Sequence, residues 1–146
     1  MIEPNSDTQR LTAEQIRGKA EYKRWFACAV DPEGTAITPA YQASLWDREK
    51  HHGVDHTHQL FAHYFYLRAP RANAQPLHSD AERKKFMVQL AHHIHKEARW
   101  DLRVNDLYFQ RLATLLMIGR AYLIKPRWVE RVMAKQLADG GWSWKS

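Results

Sequence analysis

The chain has 146 residues, enough for one domain that buries its own core. Hydrophobic residues make up 45% and aromatics 12%, which excludes general disorder. A single cysteine excludes an internal disulfide, and no run approaches the roughly 18 apolar residues of a membrane span. The formal charge of +6 permits an acidic protein partner or a nucleic acid without selecting either, because Lys and Arg are dispersed. Even Arg83-Lys84-Lys85 is too short for a nucleic-acid-binding tail, which disfavours nucleic acid as the partner.

Residues 1–10 are polar and lack the apolar core of a signal peptide. They read as a flexible arm ahead of a single helical domain over 11–146, and the cytoplasm is the expected location unless a signal has been removed. Thr12, with Gln15 three residues on, starts a helix expected to reach Val30. Asp31-Pro32-Glu33-Gly34 is a turn, since Pro fixes φ and Gly permits the reversal. Thr38-Pro39 opens a shorter helix to about Lys50, and His51 to Val54 breaks the pattern. Asp55 is the expected N-cap of a helix from His56 to Ala69, apolar or aromatic from Leu60 to Leu67 except at His63. Pro70 stops it, and Arg71 to His78 forms the longest loop.

Ser79-Asp80-Ala81-Glu82 is a capping box, starting a helix that ends near Trp100. Asn105 caps the next, from Asp106 to Leu123. There Phe109, Leu112, Ala113, Leu116 and Leu123 form the expected apolar face, and Gly119 reads as a point of close approach by a neighbouring helix. Pro126 opens the last helix, expected to run to Ala138, with Trp128, Val129, Val132 and Met133 inward. The pattern predicts an all-α fold of about six helices packed as antiparallel hairpins. Asp-Gly-Gly-Trp then closes the chain's final turn.

The run Gln136-Leu137-Ala138-Asp139-Gly140-Gly141-Trp142 resembles the Gln-x-x-Asp-Gly-Gly-Trp repeat of terpenoid cyclases and protein prenyltransferase subunits. The resemblance implies an α/α-toroid-like architecture, here a fragment or one part of an oligomer, with an orthogonal bundle as the alternative. It further implies that Gln136 caps a helix end and that Trp142 packs across the corner. The chain has no Asp-x-Asp-Asp motif, and its one cysteine, Cys28, lies far from the run. The resemblance therefore implies no catalytic residue.

Candidate chemistry lies on two helices. On the helix from Ser79, Phe86, Leu90 and Ile94 define the apolar face, and His93, Glu97 and Trp100 project onto or beside it, as does Asp101 if the helix continues. On the helix from His56, the residues His56, Gln59 and His63 fall within about 60° of one another. Buried charge is costly unless paired, hydrogen-bonded or metal-bound. If the helices pack together, His63, His93 and Glu97 form a first shell suited to a divalent metal. The same residues, with His56, Gln59 and Asp101, could line a pocket for a small ligand, or form an internal polar cluster with Arg111 or Arg120 as counter-charges. No nucleophile motif or phosphate-binding Gly loop is present. The leading expectation is a helical domain with a His/Glu pocket for a small ligand or metal. A basic interaction module comes next, and a toroid-type hydrolase or isomerase using Glu97 or Asp101 comes last.

Overall fold

The computed structural model describes residue 14 and residues 21–30, 39–47, 53–68 and 78–141. Among these, the protein is all-α, with six α-helices and no strand. They are α1 (Glu21–Val30), α2 (Pro39–Leu45), α3 (Gly53–Tyr66), α4 (Asp80–Trp100), α5 (Asp106–Met117) and α6 (Pro126–Met133), with a 3₁₀ turn at Ala121–Leu123. The expected arm at 1–10, the Asp31–Gly34 turn, most of the loop before His78, and Trp142 lie outside the described residues.

The longest helix, α4, starts where the capping box placed it. Ser79 Oγ accepts from the Glu82 N–H at 3.2 Å, and Glu82 Oε2 accepts from the Ser79 N–H at 2.8 Å. Antiparallel packing of α3 on α4 follows from their contacts: His56 meets Glu97 and His93, whereas His63 meets Arg83 and Phe86. Helix α5 is antiparallel to α4 as well, because Arg111 reaches Glu97 and Asp101 while Leu115 packs into the cluster of Leu90 and Ile94. On α6, Trp128 lies against His95 and Arg131 donates to the Leu102 carbonyl, so α6 runs alongside α4 in the same sense and antiparallel to α5.

Apolar burial is divided among three clusters. The central one joins Leu60, Phe86, Leu90, Ile94 and Leu115. A second joins Trp25 and Ala29 of α1 to Leu45, Ala62 and Tyr66. A third joins Ala98, Tyr108, Leu112, Trp128 and Val132. Trp46 packs against both the first and the second, and Ile124 against both the first and the third. These two half-buried side chains are the seams between clusters.

Several boundaries differ from expectation. Helix α3 begins at Gly53, so Asp55 lies in its first turn, where a carboxylate favours the helix dipole, rather than at the cap. Helix α5 stops at Met117 because Gly119 adopts φ +74°. The Gly119 N–H donates to Leu116 O at 3.0 Å and the Arg120 N–H to Leu115 O at 2.8 Å, the paired bonds of a Schellman cap. A methyl group on Gly119 would meet nothing within 4 Å, so the glycine serves the backbone and not a helix contact. The buried face of α5 is Tyr108, Arg111, Leu112, Thr114 and Leu115, which leaves Ala113 and Leu116 exposed. Its neighbours α3, α4 and α6 set that rotation. Helix α6 ends at Met133 and buries Trp128 and Val132, leaving Val129 and Met133 exposed. Gln136 therefore caps no helix end. Its amide donates to Gly140 O at 2.8 Å and closes the following turn, inside which the Leu137 N–H donates to Gly141 O.

Because Gly119 has room but a left-handed backbone, Gly119→Ala should destabilise the protein by about 1–2 kcal/mol. Gly119→Asn should recover part of that loss, since Asn tolerates this conformation better. Urea unfolding of the three proteins separates this backbone origin from a packing clash, for which Asn would be worse than Ala.

Candidate functional site

The interface of α3, α4 and α5 carries a chain of charged groups. His56, on the inward face of α3, is buried. Its Nδ1 lies 2.6 Å from Glu97 Oε1 on α4. A carboxylate only accepts, so His56 donates its Nδ1–H and leaves Nε2 facing away from Glu97. The other oxygen of Glu97 accepts from Arg111 Nε of α5 at 3.1 Å. Arg111 Nη1 donates to Asp101 Oδ2 at 2.6 Å, and Asp101 Oδ1 accepts from the Arg103 backbone N–H at 3.0 Å and side chain at 3.2 Å. Arg111 is itself buried and joins two carboxylates, Glu97 in the last turn of α4 and Asp101 at its C-cap. Burial pushes the Asp101 carboxyl up, but the hydrogen bonds from Arg103 and Arg111 outweigh it and hold the group below its ordinary range.

Beside His56 lies a cavity of about 310 Å³ lined by His56, Phe86, Gln89, Leu90 and His93. Residues 86, 89, 90 and 93 share one side of α4 at helical spacing, and His56 reaches across from α3. The rings of His56 and His93 are 5.1 Å apart and inclined by 35°. His93 and Trp100 are exposed rather than seated on the apolar face. Glu97 stands behind His56 and orients it, and Asp101 is joined to Glu97 through Arg111.

His63 and Gln59 belong to a different cluster. They sit one to two turns further along α3, beside the end of α2. Gln59 Nε2 donates to Leu45 O at 3.3 Å and Asp47 O at 2.8 Å, so it caps the carbonyl end of that short helix. His63 Nδ1 is 2.6 Å from Arg83 Nη1, and Nε2 is 3.2 Å from Leu45 O. A guanidinium only donates, which fixes the tautomer: Nδ1 accepts and Nε2–H donates to the carbonyl. Arg83 is buried, with its guanidinium 3.7 Å from the Tyr66 ring centre and 4.9 Å from that of Trp46. Burial first, then the Arg83 cation, pushes the His63 pKa down to about 3. His63, His93 and Glu97 are thus not brought to one point. Among the described residues no group of three His, Cys, Asp or Glu side chains is arranged to hold a metal ion.

The sequence named Arg111 as a counter-charge but not as the centre of the network. Arg120, named with it, instead donates to the Tyr122 hydroxyl at 2.7 Å. Arg83 looked like part of a surface basic run. Its signal was positional: it lies three residues before Phe86 and four before Met87, on the inward side of α4. No protein-family model, no curated protein and no solved structure matches the chain.

Arg111→Met would leave Glu97 and Asp101 close together and short of a cation. Removing one partner of a buried ion pair costs roughly 3 kcal/mol or more, so this variant should unfold at markedly lower urea. The Asp101→Asn and Arg111→Met double variant should be less than additive, and additivity would show that the two groups are energetically independent. His63 makes a second prediction. Its folded pKa, about 3, lies below the unfolded value of 6.5, so folding favours the neutral ring. That contribution is complete above pH 6.5 and is lost as pH falls from 6.5 towards 3, at up to about 1.4 kcal/mol per pH unit. The stability advantage of the wild type over His63→Gln should therefore shrink steadily across that window. An unchanged gap between pH 7 and pH 4.5 would mean that His63 charges without cost.

Proposed function

We propose that the protein binds a small planar ligand in the cavity between α3 and α4, with His56 as its polar anchor. The observation that carries this reading is a histidine oriented by a carboxylate at the wall of a cavity of about 310 Å³. That volume is at the lower end of ordinary ligand sites, roughly 300–1,000 Å³. Phe86 and Leu90 supply apolar surface for a ring, and the Gln89 amide can both donate and accept. With Nδ1–H committed to Glu97, His56 offers Nε2 to a ligand hydroxyl. The network through Arg111 to Asp101 fixes Glu97 in place, so the ring holds its orientation before any ligand arrives.

The test is ligand-observed NMR with a panel of phenols, benzoates and nucleobases. Bound compounds should lose binding in Gln89→Trp, which fills the cavity from a half-buried position without touching the core. They should bind about tenfold more weakly to His56→Gln, the scale of one lost hydrogen bond to a well-oriented group. Compounds that bind Gln89→Trp as well as wild type, or a panel without a single binder, would sink the proposal.

A further inference from the structure

The outer face of α4 carries a second surface, which borders the cavity at Gln89 and His93. At 100° per residue, Lys85, His92, Lys96 and Arg99 fall within an arc of about 60°. All four are exposed. Lys85 to Arg99 spans about 21 Å of helix at 1.5 Å per residue. From Arg83 to Lys96 the sequence holds no acidic residue. Glu97, the next carboxylate, faces inward, where it is ion-paired with Arg111 and hydrogen-bonded to His56. Lys85, Lys96 and Arg99 have no ion-pair partner among the described residues.

A row of flat groups runs beside these cations. Gln89, His93 and Trp100 lie about 40° to 80° around the helix from Lys85. Trp100 is 75% exposed, unusual for the largest apolar side chain, and the Arg99 guanidinium lies 5.3 Å from its ring centre. An acidic peptide would use the cations alone and gain little from an exposed indole. A strand of nucleotides uses both, with phosphates along the cationic row and unstacked bases on the rings.

We infer that the outer face of α4 binds single-stranded nucleic acid, with Lys85, Lys96 and Arg99 along the phosphates and Trp100 as a stacking platform for a base. This does not rest on ligand binding in the cavity.

Fluorescence anisotropy of a short labelled oligothymidylate tests it on the full chain. Three phosphate contacts give a log–log salt slope of about −2, so affinity should fall about 20-fold between 50 and 200 mM salt. The Lys85→Glu, Lys96→Glu double variant should lose binding. Both positions are exposed, and circular dichroism would verify its fold. Lys85→Arg, Lys96→Arg should retain binding, and Trp100→Ala should weaken it about fivefold or more, the scale of one base–aromatic stack. Four results would each overturn the inference: no binding at 50 mM salt, binding retained in the double glutamate variant, duplex bound more tightly than the single strand, or polyglutamate competing as well as the oligonucleotide. The last would reassign the face to an acidic protein. Gln89→Trp leaves the three cations and Trp100 in place, so oligothymidylate binding should survive in it even if the cavity binds nothing.

Discussion

The guanidinium of Arg111 is the point on which three helices converge. It leaves water to lie between Glu97 and Asp101, and Glu97 holds His56 across the α3–α4 interface. A buried ion-pair network of this kind adds little net stability over well-packed apolar side chains in place of all its members. Its effect is on register. The carboxylates are four residues apart at the end of α4, and only one axial position of α5 lets the fork reach both. The apolar contacts of Leu112 and Leu115 would tolerate small slides along the helix axis, but the ion pairs would not. The orientation of His56, and with it the polar wall of the cavity, therefore depends on how α5 docks.

Much of this was legible in the sequence, and the reasons differ by element. The start of α4 was marked by a capping box whose two hydrogen bonds are local and owe nothing to the rest of the fold. Its inward face followed from Phe86, Leu90 and Ile94, since a long helix with one apolar stripe has one way to face a core. Helix α5 is apolar on more than one side, so periodicity alone could not fix its rotation; contacts with α3, α4 and α6 did. Gly119 illustrates a different ambiguity. Glycine serves close approach and left-handed turns alike, and only the backbone path distinguishes them.

The candidate site was half legible. Placing His56, Gln59 and His63 on one face of α3 was a matter of helical geometry, and all three are buried. Which of them would meet His93 and Glu97 depended on the axial offset of α3 against α4, which no local pattern records. The two helices are antiparallel, so His56 meets the far end of α4 and His63 the near end. Seven residues of α3, about 10 Å of rise, separate one set of partners from the other. The fate of Arg83 was hidden for a related reason. A basic triplet reads as surface until the helix is rotated, and the rotation that buries Phe86 buries Arg83 with it.

The three apolar clusters meet through single side chains, Trp46 between two of them and Ile124 between another pair. Contacts this narrow bear on how the molecule opens. A domain with one continuous core protects its slowest amides together, whereas clusters joined by one residue each behave as separable cooperative units. The part built from α1 and α2 and the part built from α6 flank the central cluster without sharing a buried side chain. Each should open at a lower free energy than the α3–α4–α5 interface and the cavity it frames. Amide exchange in this protein should therefore resolve into three tiers, and the carboxylate–histidine network would sit in the slowest.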